Sequence, residues 1–264
     1  MSFHSKLSKL LQSLPPELLP RGYQIVDKVL LVMLKPELYK HRRIIGKAIL
    51  KLFPYINTVA LEKGFEGVTR KPKIEVIAGK RSLKTVHKEH NCIFSLDLSK
   101  SMWSKGNKFE RQRIVKLAKP HETVVDMFAG VGYWSIFLAK KVGKVYAIDI
   151  NKDAVEYLRR NTSLNGVEDK IEILEGDCRK FSKLLDGVAD RIVMGYLYDT
   201  EKFLVAALKI AKKGAMIHFH RIIVEKDRNK LHELIQKYGL KLVREVKVKS
   251  YAPKVWHVVF DVRR

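Results

Sequence analysis

Cysteine is scarce in this sequence of 264 residues, which contains only Cys92 and Cys178. The two are distant in the chain and form no C-x-x-C pair, so they predict neither a disulfide framework nor a structural zinc site. Such cysteine usage fits a reducing compartment. We therefore expect a cytoplasmic protein with no bound metal.

Long hydrophobic runs are also missing. No stretch approaches the roughly 20 uncharged apolar residues that span a bilayer, and residues 1–10 lack the hydrophobic centre of a signal peptide. Hydrophobic residues nevertheless make up 46% of the chain, which is ample for a packed core. We expect a soluble, globular protein with no membrane partner.

Acidic residues are few relative to basic ones. The chain has 28 Asp and Glu against 52 Lys and Arg, a formal net charge of +24 at pH 7. Such a charge attracts polyanions, because each phosphate that it neutralises releases condensed counterions. The alternative is the lysine-rich surface of a heat-adapted protein, but thermophilic proteins usually balance Lys with Glu. RNA or DNA is therefore the predicted partner.

From residue 120 onward, short β-rich runs alternate with helical runs, which is typical of a parallel sheet covered by helices. The predicted strands are residues 122–127, 144–150, 170–175, 190–194 and 215–219. The predicted helices are residues 133–141, 152–161, 178–185, 201–212 and 227–238. Asn165-Gly166 and Lys213-Gly214 are the predicted helix stops.

The end of the chain has a different pattern. Two β-like runs, residues 241–250 and 255–262, flank a short segment that contains Pro253 and predict an antiparallel hairpin. The total of seven strands resembles class I methyltransferase-like domains, which are Rossmann-like α/β folds. Six parallel strands would be expected of a dinucleotide dehydrogenase.

Residues 1–95 predict a small α+β domain that precedes the Rossmann-like domain of residues 96–264. Lys and Arg outnumber Asp and Glu in it by more than two to one. In a predicted amphipathic helix over residues 37–52, basic residues recur at helical spacing and can follow a phosphate backbone. These candidate RNA-binding residues are Arg42, Arg43, Lys47 and Lys51. An ordinary solvated helix face is an equally good interpretation.

The sequence VVDMFAGVGY at residues 124–133 predicts a strand that runs into a glycine-rich turn and then a helix. Gly130 and Gly132 allow the backbone to approach a ligand closely. Ser135 stands where a dinucleotide-binding motif has its third glycine, which disfavours pyrophosphate recognition. The turn suits a nucleoside without phosphates, and an unliganded turn is the alternative.

Acidic residues end the second and third predicted strands. Asp149 can accept hydrogen bonds from both hydroxyls of a ribose. Asp177 can accept from an adenine amino group, and the backbone N–H of Cys178 can donate to a ring nitrogen. The competing interpretation is that these carboxylates cap the helices behind them, which is compatible with ligand binding. Together the three residues predict an adenosine pocket at the carboxyl edge of the sheet.

The motifs resemble an archaeal and eukaryotic group of enzymes that contains tRNA guanine-N1 methyltransferases and wybutosine-pathway aminocarboxypropyltransferases. The similarity lies in SKGNKFER at 104–111, DMFAGVG at 126–132, AIDIN at 147–151, GDC at 176–178 and TVHKE at 85–89. It implies S-adenosylmethionine as co-substrate. The implied contacts are Ser104, Arg111, Asp149, Asp177 and Cys178, with Phe128, Gly130 and Gly132 of the turn. Arg111 is the natural partner for a carboxylate.

The sequence departs from the methyltransferases of this group at the end of the fourth predicted strand. They have Asn-Leu-Pro where this chain has Met194-Gly195-Tyr196. Without the amide that orients a target nitrogen, the resemblance implies transfer of the 3-amino-3-carboxypropyl group and release of methylthioadenosine. The implied acceptor is 4-demethylwyosine, a wyosine-type guanosine, at nucleotide 37 of phenylalanine tRNA. RNA methylation in the same pocket and non-catalytic RNA binding are the alternatives.

The residues assign no general base. Met194, Tyr196 and His220 are the catalytic candidates. His218 and His220 share one face of the fifth strand by the two-residue period, but no third ligand completes a metal site. One interpretation of His220 and Arg221 is that they contact the substrate or support residues that do, and the alternatives are plain packing or contact with a phosphate.

Aromatic residues border the predicted pocket. Tyr133, Trp134 and Tyr196 are candidates to stack on a flipped-out base, although Trp134 suits a core position equally well.

Overall fold

The computed structural model describes residues 1–103 and 107–264. The chain divides into two compact units, Met1–Trp103 and Ser104–Arg264. The predicted boundary after residue 95 falls inside a strand, Cys92–Asp97, that pairs with its neighbour Lys84–Glu89. The division therefore lies several residues further along the chain than we predicted.

The first unit is an α+β structure. Its helices are α1 (Phe3–Leu10) and α2 (Arg42–Leu52), and its strands are β1 (Gln24–Val26), β2 (Val29–Val32), β3 (Thr58–Glu66), β4 (Lys71–Gly79), β5 (Lys84–Glu89) and β6 (Cys92–Asp97). Strands β1 to β4 form one sheet in chain order, in which β2 and β3 are parallel, and β5 and β6 form a separate hairpin.

Helix α2 packs on β3 and β4 through an apolar stripe that includes Ile45 and Ile49, both fully buried. Gly46 allows the close approach, because a Cβ atom there would lie 2.9 Å from the Cβ of Ala78. The predicted helix over residues 37–52 is confirmed from Arg42 onward. The preceding turns, Pro36–His41, are 3₁₀ helix with a proline in their first turn.

The second unit is an α/β structure. Its strands are β7 (Thr123–Asp126), β8 (Lys144–Asp149), β9 (Ile171–Glu175), β10 (Ala189–Met194), β11 (Ala211–Val224), β12 (Lys241–Ala252) and β13 (Val255–Arg263). Its helices are α3 (Lys108–Leu117), α4 (Ser135–Ala139), α5 (Lys152–Asn165), α6 (Leu204–Ile210) and α7 (Arg228–Lys237). The seven strands form one sheet in the order β12-β13-β11-β10-β7-β8-β9.

Strands β7 to β11 are mutually parallel, and β13 and β12 add to the sheet as an antiparallel hairpin. The predicted seven-stranded Rossmann-like domain is confirmed. The central parallel strands β7 and β10 are buried on both faces and are therefore rich in Val and Ile. Fully burying one such side chain contributes about 1.5–3 kcal/mol. The carboxyl ends of the parallel strands meet at one edge, which is where ligands bind in open sheets of this kind.

One of the two predicted helix stops is confirmed and the other is wrong. Gly166 ends α5 with a left-handed φ of 61°, as predicted. The predicted helix over residues 201–212 is wrong at both ends, because its start is a 3₁₀ turn, Thr200–Phe203, and α6 stops at Ile210. Ala211 already pairs with β10, so Lys213-Gly214 lies within β11 and is no helix stop. Tertiary strand pairing overrides the local signal there.

Candidate active site

The turn between β7 and α4 carries the glycine motif. Gly130 and Gly132 both have positive φ, at 55° and 99°. A Cβ on Gly132 would lie 2.7 Å from Leu158 and 2.8 Å from Ile136, so this glycine is required by packing. At Gly130 a Cβ would meet no atom within 4 Å, which leaves open space above the turn. The backbone is therefore accessible to a ligand at the first glycine.

Ser135 replaces the third glycine of a dinucleotide motif and has a structural partner. Its hydroxyl donates to Oδ2 of Asp126 over 2.8 Å, and the N–H of Phe128 donates to the other oxygen over 3.4 Å. The carboxyl group thus joins the end of β7 to the turn and to α4. It is fully buried, and burial raises the pKa of Asp126 to about 7.

Asp149 ends β8 and holds the glycine turn from the other side. Its Oδ2 accepts from the N–H of Gly130 over 2.6 Å, and its Oδ1 accepts from the N–H of Asn151 over 2.8 Å. Burial raises the pKa of Asp149, and the two backbone hydrogen bonds oppose that effect. A carboxylate has about four acceptor positions, so two remain for hydroxyl groups of a ligand. The predicted ribose-binding residue therefore lies beside the open face of Gly130.

Asp177 follows β9 and caps the short 3₁₀ helix Cys178–Ser182 by accepting from the N–H of Arg179 over 2.9 Å. The Arg179 guanidinium also pairs with this carboxylate and holds the pKa of Asp177 below its usual value. The capping role is confirmed. The thiol of Cys178 is buried in the core, which raises its pKa to about 12, so its side chain is no nucleophile.

An aromatic cluster follows β10 at the carboxyl edge. Tyr196 stacks on Phe128 with ring centroids 5.3 Å apart and an angle of 27° between the ring planes. The ring of Phe203 meets both of them edge-on, at 4.9 Å from Phe128 and 6.0 Å from Tyr196. The guanidinium of Arg179 lies 5.1 Å from the Phe203 ring. Sequence reasoning did not single out Phe203 or Arg179, because neither belongs to a motif and only the fold brings them beside Tyr196.

Two of the three catalytic candidates lie away from the open face. The side chain of Met194 is fully buried in the hydrophobic core. His220 is also fully buried, with Nδ1 at 3.0 Å from Nε2 of His257, and its ring meets Trp134 edge-on at 5.4 Å. Burial keeps the pKa of His220 well below its ordinary value, so the ring is neutral. Tyr196 is the candidate that reaches the aromatic cluster.

His218 and His220 lie two residues apart on β11, and both are fully buried. His218 lies within hydrogen-bonding distance of Asp261 and Arg191 in the interior, so it does not face a ligand. Arg221 donates to the carbonyl of Leu197 over 3.4 Å and to Glu201 over 3.2 Å, and it therefore braces the loop that carries Tyr196.

Arg111 and Trp134, two further predicted site residues, lie in the interior of the second unit. Arg111 is almost fully buried, and its guanidinium lies 5.3 Å from the ring of Tyr133. Trp134 is also buried, which confirms the core interpretation, and a Cβ on Gly195 would lie 2.9 Å from its indole nitrogen. Ser104 lies outside the described residues.

The four predicted RNA-binding residues of α2 differ in exposure, because Arg42 is partly buried and the other three are exposed. Arg42 donates to Glu75 over 2.6 Å and to the carbonyl of Tyr39 over 2.8 Å. Arg43, Lys47 and Lys51 are exposed. The face available to an RNA backbone thus consists of the last three of the predicted residues.

Neither a metal centre nor a membrane span stands out in the part of the chain that the structure describes. Within it, no three His, Cys, Asp or Glu side chains are grouped so that they could hold a metal ion. Its helices lack the length and hydropathy that a membrane-spanning helix requires.

The sheet order, the glycine turn and the carboxylates of Asp149 and Asp177 define a class I S-adenosylmethionine-dependent α/β domain, which follows a small N-terminal domain in the chain. The sequence model of the TRM5/TYW2 methyltransferase domain matches residues 85–248, and that of the TYW2 N-terminal domain matches residues 6–82. The chain belongs to the TRM5/TYW2 family, which confirms the resemblance seen in the motifs.

Individual relatives agree with this assignment. The chain is 40% identical over 97% of its length, and 94% of the relative's, to a tRNA(Phe) (4-demethylwyosine(37)-C(7)) aminocarboxypropyltransferase of Pyrococcus horikoshii. The crystal structure of P. horikoshii TYW2 in complex with MeSAdo matches with a TM-score of 0.80 and 36% identity, covering 99% of this chain and 98% of that one. The structure of aTrm5 with tRNALeu matches with a TM-score of 0.88 and 32% identity, covering 100% and 78%.

Proposed function

We propose that this chain is a tRNA aminocarboxypropyltransferase. It transfers the 3-amino-3-carboxypropyl group of S-adenosylmethionine to 4-demethylwyosine at nucleotide 37 of tRNA(Phe) and releases methylthioadenosine. The observation that carries the proposal is the end-to-end similarity to an enzyme of that name, at 40% identity over 97% of the chain. A relative also binds MeSAdo, which is methylthioadenosine, the product expected of this reaction.

The geometry after β10 supports this choice over methylation. Where methyltransferases of the group have an asparagine, Met194 places a thioether in the hydrophobic core. No amide from that position can orient a target nitrogen. Instead, Tyr196 presents an aromatic ring stacked on Phe128, which suits the large flat surface of a tricyclic base.

The co-substrate fits the residues at the carboxyl edge. The open space above Gly130 admits a nucleoside, and Asp149 offers acceptor positions for the two ribose hydroxyls. Phe128, Asp177 and the backbone of Cys178 flank the expected adenine position, and Gly132 keeps the turn close to α5. Arg111, with Ser104 nearby in sequence, is assigned to the carboxylate of the methionine arm.

The reaction needs an in-line approach. The nucleophilic carbon of the base attacks the γ-carbon of the methionine arm, the bond from that carbon to sulfur breaks, and its electron pair stays on sulfur. The sulfonium becomes the neutral thioether of methylthioadenosine. The acceptor carbon then loses its proton to water, which restores the aromaticity of the ring. The protein's part is positioning, since the carbon that lies in line with the nucleophile decides which group is transferred.

The RNA partner is supported by charge and by a relative. The net charge of +24 favours a polyanion, and aTrm5 has been seen with tRNALeu. The exposed Arg43, Lys47 and Lys51 are proposed to contact tRNA. A tRNA substrate favours a cytoplasmic location.

The test supplies S-adenosylmethionine labelled separately in its methyl and carboxyl carbons, together with tRNA(Phe) that carries the tricyclic precursor. We expect the carboxyl label in the RNA and one methylthioadenosine for each group transferred. Unmodified tRNA(Phe) is the matched control and should accept neither label. Entry of the methyl label would replace the proposal with methylation, and entry of neither label would leave an RNA-binding protein.

A further inference from the structure

The hairpin of β12 and β13 extends well beyond the site edge of the sheet. Strand β10 ends at Met194, which is opposite Phe219, but β11 continues five residues further to Val224. Strand β13 follows it throughout, since Val255 pairs with Val224, and β12 follows β13. At roughly 3.3 Å per residue, the extension is about 16 Å long. We call residues 246–259 the projecting hairpin.

The projecting hairpin lies at the edge that carries the candidate active site. Strands β10 and β11 are parallel, so both point their carboxyl ends toward the edge at which Tyr196, Asp149 and Gly130 lie. The tip is held in place, because the N–H of Glu225 after β11 donates to the carbonyl of Lys254 over 2.9 Å. The tip of the hairpin is therefore joined to the end of β11, on the side of the sheet at which the parallel strands end.

Its side chains combine positive charge with aromatic rings. The projecting hairpin contains three lysines and no acidic residue. Lys247 lies 4.7 Å from the centre of the Trp256 ring, and Lys249 lies 5.1 Å from that of Tyr251. Tyr251 is 47% exposed, and Lys249 and Lys254 are exposed as well. Lys247 is also within 3.5 Å of Glu225, so Lys249 and Lys254 carry the outward charge.

We propose that the projecting hairpin binds the unpaired RNA strand that flanks the reacting nucleotide. Exposed lysines on the same hairpin as the exposed ring of Tyr251 match such a strand, because the ammonium groups contact phosphates while the ring stacks on a base. Enzymes that react with a base act on single-stranded substrate or take the base out of its stack, and an unpaired strand beside the site has bases available to stack on Tyr251. This inference rests on the proposed function for the location of the reacting nucleotide.

The test measures binding of a tRNA(Phe) transcript over a series of salt concentrations, without turnover. The double variant Lys249→Gln/Lys254→Gln should bind about 10-fold more weakly at physiological salt. Its salt slope should fall by roughly 0.7 to 0.9 for each phosphate that the variant no longer neutralises. The matched control is Lys119→Gln/Lys213→Gln, which removes the same charge from exposed residues near the opposite edge. The control should keep most of the affinity and the slope.

Stacking is tested separately at Tyr251. Tyr251→Ala should weaken binding several-fold, and Tyr251→Phe should restore it, because every base can stack on either ring. Equal binding by the hairpin and control double variants would overturn the inference, and would leave the hairpin as an edge for a protein partner or as plain structure.

The outcomes separate this inference from the proposed function. If wild type transfers no aminocarboxypropyl group but the hairpin variants lose tRNA affinity, the proposed reaction is wrong and the RNA contact stands. If wild type transfers the group and the hairpin variants bind like the control, the reaction stands and the hairpin contact is wrong. S-adenosylmethionine affinity should be unchanged in every variant.

Discussion

Nδ1 of His218 on β11 lies 2.6 Å from Oδ1 of Asp261 on β13, directly across the two strands. The other ring nitrogen of His218 faces the guanidinium of Arg191 at 2.7 Å. Because Arg191 can only donate, His218 accepts there and carries its proton on Nδ1. Burial lowers the pKa of His218, so the ring is neutral and donates to Asp261.

This contact lies within a buried network of charges. Arg113 on α3 pairs with Asp261 and with Glu110, and Arg191 pairs with Glu122. The network fixes α3 against the sheet through side chains that are nearly all inaccessible to solvent. Neutralising Asp261 would leave Arg113 with Glu110 as its partner and would take the charged acceptor away from His218.

Asp261→Asn should therefore destabilise the protein by about 1–3 kcal/mol, because Arg113 and His218 lose the charge of their common hydrogen-bond acceptor while Arg113 keeps Glu110. Urea unfolding measures the change. Asp227→Asn, which breaks an exposed pair with Lys230, is the control and should have a much smaller effect. Similar effects of the two substitutions would show that the buried network does not stabilise the fold.

Asp126 predicts a pH dependence of stability. Its pKa is about 7 in the folded protein and about 3.9 in an unfolded chain. A raised folded pKa gives stability that is fully present below the unfolded pKa and is lost as pH rises through the folded pKa. The Asp126→Asn variant cannot titrate there, so its stability relative to wild type should increase between about pH 4 and pH 7.

Urea unfolding of both proteins across that range measures the effect of Asp126, and each pKa unit of difference corresponds to about 1.4 kcal/mol. Above pH 7 the two curves should run in parallel. Parallel curves across the whole range would mean that Asp126 is ionised in the folded protein.

Asp149→Ala should weaken S-adenosylmethionine binding by on the order of 1–3 kcal/mol, because the ribose hydroxyls lose their acceptor and the Gly130 turn loses its support. Calorimetry measures this directly. Asp149→Asn keeps one acceptor oxygen and should be intermediate. Unchanged affinity of the alanine variant would remove Asp149 from the pocket, and equal affinity for NAD would contradict a nucleoside site.

Tyr196→Ala should lower kcat/KM for the tRNA about 10-fold, because base stacking on an aromatic side chain contributes roughly 1–3 kcal/mol. Tyr196→Phe keeps the ring against Phe128 and should retain most of the activity. Measuring kcat and KM once with varied tRNA and once with varied S-adenosylmethionine shows which of the two substrates the variant binds less well. A loss confined to S-adenosylmethionine affinity would assign the ring to the co-substrate.

The sequence predicted the order of elements well because strand burial and helix periodicity are local signals. The turn at Gly130 and the carboxylate of Asp149 were found from strand ends, where topology makes residues converge. Sequence reasoning also placed His218 and His220 on one face of a strand. It could not identify Asp261 as the partner of His218, because the pair forms only when β13 is placed beside β11.

The other wrong predictions also concern residues whose position depends on tertiary contacts. The boundary at Ala211 depends on pairing with β10, and no residue pattern near it records that partner. The sequence alone allowed a catalytic role for Met194, but its side chain is buried in the fold. Tertiary contacts decide such positions, whereas periodicity decides only the type of element.

The close approach of Gly195 to the Trp134 indole constrains any attempt to redesign the chemistry. A Cβ at residue 195 would lie 2.9 Å from the indole nitrogen, so only glycine fits while the tryptophan stays where it is. Grafting the Asn-Leu-Pro loop of the related methyltransferases would place a leucine in that space. Conversion to a methyltransferase therefore requires a second substitution, to a smaller residue at position 134. Exchange of the loop alone would not be sufficient.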